Sequence, residues 1–374
     1  MVIYPDMKTM NLSFKNTFFA LGTLIAFVFI LSIASKLLIP LAYALLIAIT
    51  LYPIVRFLNQ KGFALVWAIM TTMFSVVIVI GLLIYFFSSQ IIDIASNYGA
   101  FTEKLHDLYI SLMEFVNEKI QFIPDIKSEE IKEKLLNALN EKGMPMVSDT
   151  ISFTSTLLSF TLLTVIYSFL ILLYNKPFTI GLTKAVPEKS RDQFRDTLQK
   201  AQKVGQKYLT GMGLLMLILG TLNTIGLLIV GIDYAFFFGF LAAILAIIPY
   251  IGTFLGGLLP TLYAFMTYDS YWYPIGVIIV FWFVQTLEGN FLSPKIVGGN
   301  LNLNAMTALV SLIAGGFLWG ISGMILFLPF MAIFKVFCEN YEELQPIAEL
   351  MSDQSGDKTS TFKFIDKLKR KVSD

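Results

Sequence analysis

The sequence contains uncharged, mostly apolar stretches that are much longer than the elements of a water-soluble domain. A helix needs roughly 20 apolar residues to cross the hydrocarbon core of a bilayer. Backbone groups cannot stay unpaired in lipid, so long continuous stretches indicate helices, whereas a β-barrel would show short alternating strands. The stretches cover residues 17–35, 37–55, 62–92, 150–175, 208–232, 234–268, 270–287 and 296–334. The chain is therefore predicted to be an all-α polytopic integral membrane protein.

Composition agrees with this class and excludes others. Of the 374 residues, 56% are hydrophobic and 14% are charged, whereas about a quarter of the residues of a soluble domain are charged. The net charge of +1 comes without a dense Lys/Arg field, so no nucleic-acid partner is expected. The bilayer itself is the expected surrounding.

The chain offers few groups for catalysis. His106 is its only histidine and Cys338 its only cysteine, so a His-based triad, a His or Cys metal site and an internal disulfide are all excluded. It also lacks a nucleotide-phosphate loop, which disfavours direct use of ATP. We expect neither an enzyme nor a bound cofactor or metal.

The distribution of charge predicts the orientation. Residues 88–149 hold six Lys or Arg against eleven Asp or Glu, whereas residues 176–207 hold eight against three. By the positive-inside rule the second segment is cytoplasmic and the first is outside. The first apolar stretch follows Lys8 and Lys15 like a signal peptide, but the next begins at Leu37 without a convincing cleavage site between them. Both termini are thus predicted to be cytoplasmic, in a bacterial-type inner membrane.

These boundaries divide the chain into five predicted regions. Three spans occupy 1–87, and an amphipathic helical insert outside the membrane occupies 88–149. Residues 150–207 are predicted to contain a fourth span and a basic cytoplasmic segment. The basic segment suits an amphipathic helix whose charges face anionic lipid headgroups, and the alternative is a solvated connector. A transport core at 208–338 and a cytoplasmic tail at 339–374 complete the chain.

Two of the uncharged stretches are too long for single crossings. As straight helices, residues 234–268 and 296–334 would measure roughly 52 and 58 Å, well beyond the bilayer core. Each is predicted to fold back as a helical hairpin, re-entrant or just spanning, so that about six full spans remain. The residues predicted to break, bend or pack the hairpins are Pro249, Tyr250, Gly252, Gly256 and Pro260 in the first, and Gly315, Gly316, Gly320, Gly323 and Pro329 in the second.

The two hairpins end two similar units. The stretch 208–232 precedes the first hairpin and 270–291 precedes the second, so the units are predicted to point in opposite directions. Broken helices at matching places in inverted repeats are typical of solute sites in transporters. The alternative is that hydrophobic hairpins simply look alike.

A polar cluster near the end of one span is the strongest candidate site. Gln285 and Glu288 are three residues apart and share a helix face, and Asn290, Pro294 and Lys295 follow them. An ionisable group within a span usually faces a cavity or a partner, and a desolvated Glu288 could exchange a proton near neutral pH. The alternative is a structural lock, in which Glu288 pairs with Lys295 or caps a hairpin.

Other polar residues extend this candidate path or support its scaffold. Asn223 is a buried amide in the stretch 208–232, and the break at 249–252 would expose backbone groups that suit an ion or polar solute. Three asparagines before the second hairpin are predicted to cap its first helix, and four aromatic residues to form an outer interfacial belt. These are Asn300, Asn302 and Asn304, and Tyr268, Tyr271, Trp272 and Tyr273.

The first break, the cluster around Glu288 and the second set of glycines together resemble the autoinducer-2 exporter family of bacterial membrane transporters. The resemblance covers nearly the whole chain and is most specific in residues 245–335. It implies export of autoinducer-2 or another small molecule, or exchange of sodium or lithium for protons, and assembly as a homo-oligomer. Many relatives have a His-Pro pair where this chain has Asn304-Ala305, so a proton-linked histidine is not implied.

Three functions are compatible with these features. The first is secondary or facilitated export of a small polar organic solute around Glu288. The second is sodium or lithium exchange for protons, with Glu288 as the shared site. The third is a membrane scaffold that binds a partner through the outer insert.

Overall fold

The computed structural model describes residues 14–96, 159–248, 251–298 and 303–353. The predicted outer insert beyond residue 96, Pro249 and Tyr250, Asn300 and Asn302, and the basic tail lie outside the described residues. The helices are α1 (Phe14–Ile33), α2 (Ser35–Gln60), α3 (Leu65–Ser96), α4 (Ser159–Leu173), α5 (Asn175–Lys184), α6 (Arg191–Val230), α7 (Ala235–Leu245), α8 (Ile251–Thr267), α9 (Trp272–Leu287), α10 (Ala305–Asn340) and α11 (Gln345–Met351).

The lengths and apolar character of these helices confirm the polytopic all-α fold. Among the described residues, five helices are long and apolar enough, by length and composition alone, to cross a membrane: α2, α3, α6, α9 with its continuation to Val297, and α10, which is interrupted at Trp319 and Gly320. The pair α4–α5, bent by 67°, passes the same test as one broken span. The pairing of strands within the described ranges is limited to an isolated bridge between Leu303 and Ser352.

The N-terminal helices pack as a group. Buried residues of α2, α3 and α4 form one apolar cluster that includes Leu51, Ile69 and Leu172. The hydroxyl of Ser168 on α4 is completely buried: it donates to the carbonyl of Thr164 in the same helix at 2.8 Å, and the carbonyl oxygen of Ala44 on α2 lies 3.4 Å away. Helix α3 continues to Ser96, so the proposed boundary at residue 88 lies within a helix.

The basic segment and the span after it form one helix. Helix α6 contains 40 residues, and its first turns carry the charged side chains that were predicted to lie in an amphipathic cytoplasmic helix. The helix ends at Gly231, which has a left-handed conformation with φ 85°. We call the end of the molecule near Arg191 the basic end and the end near Gly231 the opposite end.

Residues 234–268 fold back as predicted. Helices α7 and α8 form the two arms, and their backbones touch where the chain reverses: a Cβ atom on Gly252 would lie 1.6 Å from the carbonyl oxygen of Leu245. Further along the arms, a Cβ on Gly256 would lie 2.8 Å from that of Ala242. Only glycine allows this approach, as expected for small residues at membrane helix contacts.

Residues 296–334 also contain a reversal, at the middle of α10. Trp319 and Gly320 leave the helical conformation, and Gly320 has φ 60° and ψ −140°. The two arms then meet so closely that a Cβ on Gly323 would lie 1.9 Å from the carbonyl oxygen of Gly315. The indole N–H of Trp319 at the tip donates to the carbonyl of Leu31 on α1 at 2.9 Å.

The two hairpins enter from opposite ends of α6. At the mouth of the first, the Tyr268 hydroxyl accepts from the backbone N–H of Asp233 at 2.7 Å, next to the end of α6 at Val230. At the mouth of the second, Asn340 accepts hydrogen bonds from Gln193 and Lys200 near the start of α6. This arrangement matches the predicted opposite direction of the two units.

Hydrogen bonds of Asn304 join the two ends of the second hairpin. The Asn304 side chain accepts from the backbone N–H of Thr307 at 2.8 Å, which caps α10 as predicted for this asparagine. Its amide group also donates to the carbonyl of Leu350 in α11 at 2.6 Å. Helix α11 thus holds the entry and exit of the hairpin together.

The contact at the second reversal can be tested by one substitution. We expect Gly323→Ala to lower the unfolding free energy in detergent by about 1–3 kcal/mol or more, because its methyl group would overlap the Gly315 carbonyl. The matched control is Gly213→Ala in α6, where a Cβ meets nothing within 4 Å. Equal thermal unfolding of the two purified variants would contradict the close contact between the arms.

Candidate transport site

A small polar cavity lies beside the reversal of the first hairpin. Its volume is about 20 Å³, and its walls come from α6, α7, α8 and α9. A cavity of this size holds one water molecule or one ion, since a single water needs roughly 10–15 Å³. Its polar lining residues are Asn223, Thr253, Gln285 and Glu288. The structure therefore brings three of the predicted path residues to one place.

Asn223 provides a polar atom that the protein leaves without a partner. The side chain is only 5% exposed, and its Oδ1 atom has no hydrogen-bond partner among the described residues. A buried acceptor of this kind costs about 1–3 kcal/mol when it is unsatisfied. A cation or a hydrogen-bond donor that enters the cavity would remove this cost.

Glu288 and Gln285 form the opposite side of the cavity. The Gln285 side chain lies close enough to the Glu288 carboxyl group to interact with it. Glu288 is also the first residue of a π-helical segment, Glu288–Leu292, which continues α9. Widened turns of this type often occur at functional sites, because they change the direction of the side chains.

Close helix packing keeps the cavity small. A Cβ atom on Gly239 of α7 would lie 2.4 Å from the Thr224 hydroxyl oxygen, next to Asn223 in α6. On α6 itself, a Cβ on Gly226 would lie 2.3 Å from a methyl group of Val280 on α9. An apolar cluster that includes Leu219, Ala243 and Val284 completes the surrounding wall. Of the polar lining residues, Asn223 is buried, Glu288 is partly exposed and Gln285 is exposed.

The other predicted path residues lie elsewhere. Asn290 does not line the cavity: its side chain is on the exposed surface and donates to the carbonyl of Thr286 at 2.9 Å. Pro294 and Lys295 belong to a second π-helical segment, Pro294–Gly298, that packs against α6 at Gly211. Glu288 and Lys295 form no ion pair within residues 251–298, so the proposed lock between them is not present.

The hairpin residues around the cavity divide into two groups. Gly252 and Gly256 shape the first hairpin beside the cavity, and Pro260 is buried farther along α8. The second hairpin does not line the cavity, so its predicted hinge residues lie away from it: Gly315, Gly316, Gly320, Gly323 and Pro329.

A second, larger cavity lies on the other side of the first reversal. It has a volume of about 310 Å³ and lies between α2, α3, α6 and α10, with a mostly apolar lining. Ala246 borders the small polar cavity, whereas the next residue, Ile247, borders the large apolar one. The turn after α7 thus separates the two spaces.

Two polar residues were missed by the sequence interpretation. Thr253 contributes to the cavity wall, and its position directly after Gly252 was the available signal. Lys335 is 1% exposed in the return arm of α10, and its ammonium nitrogen lies 3.3 Å from the Glu339 carboxylate. The spacing of four residues could have indicated this pair.

A helical membrane protein with two oppositely directed hairpins and a polar cavity beside one of them has the architecture of a solute or ion transporter. The chain belongs to the AI-2E family of transporters, whose family model matches residues 21–343.

Individual relatives agree with this assignment. YueF of Bacillus subtilis is 42% identical over 137 residues, which cover 37% of this chain and 37% of YueF. YrrI of the same organism is 29% identical over 80% of this chain and 84% of its own length. The AI-2 transport protein TqsA of Escherichia coli is 23% identical over 89% of this chain and 94% of TqsA.

Replacement of Asn223 tests whether its unpartnered oxygen serves transport rather than folding. We expect Asn223→Leu to fold with equal or higher thermal stability, because it removes an unsatisfied buried acceptor, and to lose transport. The matched control is Thr221→Leu, two residues earlier on the exposed side of α6, which should retain transport. A large loss of stability in Asn223→Leu alone would mean that the amide has a structural role.

Proposed function

We propose that the chain is a secondary transporter that uses the cavity between Asn223, Gln285 and Glu288 to bind a proton or a sodium ion and couples it to the movement of a small polar solute. The observation that carries this proposal is that Asn223, whose buried side-chain oxygen has no partner among the described residues, lines a cavity together with the carboxylate of Glu288. An amide oxygen and a carboxylate are ligands that suit a small cation, and in its absence Glu288 could instead take up a proton.

The proposed cargo is a small polar organic molecule that leaves the cell. Membership of the AI-2E family supports this choice, as does the similarity to a protein named for AI-2 transport. The large cavity between α2 and α6 is within the range of about 300–1,000 Å³ that small-molecule sites occupy. Opening of the turn at Ala246–Ile247 would join it to the polar cavity. The hairpins would then alternate access to the two sides.

A second candidate function is exchange of sodium or lithium for protons, with the ion itself as the cargo. The volume of about 20 Å³ at Glu288 favours this function, because such a space admits an ion but no organic solute in the present conformation. In this case the large apolar cavity would not belong to the transport path.

The proposed orientation places the basic end in the cytoplasm of a bacterial-type cell, by the positive-inside rule. The first hairpin then enters from outside, the second from the cytoplasm, and the predicted insert at residues 88–149 lies outside. We propose assembly as a homo-oligomer in the inner membrane, as the family resemblance implies.

The central test replaces the carboxylate of Glu288. We expect Glu288→Gln to insert and assemble like the wild type and to reduce flux at least about 100-fold, because the amide keeps the shape but binds neither a proton nor a cation in the same way. Flux is measured in proteoliposomes at equal protein content. The control Glu349→Gln removes an exposed carboxylate in α11, away from the cavity, and should leave flux unchanged.

The same proteoliposomes separate the two candidate functions. Efflux of an organic solute driven by a proton or sodium gradient supports the exporter, whereas a sodium pulse that moves protons without any solute supports the antiporter. Wild-type flux through Glu288→Gln would remove this carboxylate from either mechanism.

A further inference from the structure

A third cavity lies at the basic end, outside the proposed transport path. It occupies the space between the end of α2, the bent helix α5 and the charged first half of α6, and its volume is about 670 Å³. This volume is sufficient for a headgroup-sized or nucleotide-sized molecule, since small-ligand sites measure about 300–1,000 Å³.

The charged side chains that line this cavity all have the same sign. Four basic side chains line it, and none of its lining residues in the described part of the chain is acidic. The four come from three different helices: Arg56, Lys176, Arg195 and Lys203. None of them forms an ion pair with a described carboxylate, in contrast to the neighbouring Lys200, which lies 2.8 Å from Asp196. Their charge is therefore available to a ligand.

Neutral donors supplement the four cations. Three glutamines on successive turns of α6, Gln199, Gln202 and Gln206, face the cavity together with Asn175 and Thr179 of α5. Side-chain amides and hydroxyls can donate hydrogen bonds to the oxygens of an anion, and guanidinium groups bind phosphate oxygens in pairs. This set of donors suits a ligand with several negatively charged oxygens.

The cavity also lies where the apolar parts of the helices end. Helix α5 bends by 67° from α4 and leaves Phe178, Ile180 and Leu182 exposed, as in a helix that lies on a membrane surface. On the opposite wall, Phe57 is 55% exposed, and the Lys61 ammonium group lies 4.6 Å from the centre of its ring. Apolar edges around a basic centre are the combination that a lipid phosphate and its attached chains would require.

We propose that this cavity binds a phosphate-bearing anion, held by Arg56 of α2, Lys176 of α5, and Arg195 and Lys203 of α6. The phosphate could belong to an anionic phospholipid or to a soluble molecule, and both sources offer the same charged oxygens. Because the ligand would join α2 and α5 to α6, its binding would stabilise the basic end of the helix that carries Asn223.

The experiment uses the full-length protein and two probes. Sodium pyrophosphate is titrated in an uncharged detergent at constant ionic strength, and thermal unfolding is recorded. In parallel, the protein is placed in nanodiscs of phosphatidylcholine with or without phosphatidylglycerol, and the retained lipid is identified by native mass spectrometry. Stabilisation by pyrophosphate identifies a soluble phosphate ligand, whereas selective retention of phosphatidylglycerol identifies a lipid.

The variants separate the cavity from general surface charge. We expect Arg195→Gln combined with Lys203→Gln to weaken the observed binding at least about tenfold, because two charge-assisted contacts are lost. The control Lys184→Gln combined with Lys207→Gln removes the same charge from exposed residues that do not line the cavity, and should bind like the wild type. If the first pair fails to fold, Arg56→Gln tests the same site from α2 and should also weaken binding.

Two results would overturn the proposal. One is the absence of binding of both pyrophosphate and phosphatidylglycerol to the wild-type protein. The other is equal weakening of binding in the cavity variants and in the Lys184→Gln/Lys207→Gln control. That result would show that binding depends only on the overall positive charge.

Discussion

Direct backbone contact at glycines is the interaction on which the rest of this structure depends. Lipid offers no hydrogen bonds to a broken helix, so a chain can reverse inside the membrane only where other protein surrounds the turn. The contacts of Gly252 with Leu245, and of Gly323 with Gly315, bring the two arms of each hairpin together without side chains between them. The reversals, the walls of the polar cavity and the opposite entry of the hairpins all require these contacts.

The polar cavity illustrates how such packing can support function at the expense of stability. Gly239 and Gly256 bring α6, α7 and α8 so close that only a small space remains between Asn223, Thr253 and Glu288. In this space the Asn223 oxygen stays without a partner, although a leucine would be more favourable for folding. Buried polar atoms without a partner are expected where a protein must bind a ligand or an ion, since folding alone does not select them.

The sequence predicted the features that depend on length and periodicity. Uncharged stretches beyond one bilayer thickness predicted both hairpins, and the spacing of Gln285 and Glu288 predicted their common face. Asn290 was predicted to belong to the transport path, but its side chain lies on the exposed surface outside the cavity, since two residues after Glu288 add roughly 200° of rotation in a helix. Thr253 directly after Gly252 and Pro177 directly after the bend at Asn175 were local signals for the cavity wall and the 67° bend, but neither shows which helices pack around them. Glycine spacing indicated close approach but could not show which helices would meet.

The continuity of α6 has a mechanical consequence. From Arg195 in the basic cavity to Asn223 in the polar cavity the helix extends about 42 Å without a break. A rod of this length acts as a lever: a tilt of about 5° with Arg195 as the pivot displaces Asn223 sideways by roughly 4 Å. That displacement is large relative to a space of about 20 Å³ at Glu288, so a modest rocking at the base would be enough to change its shape.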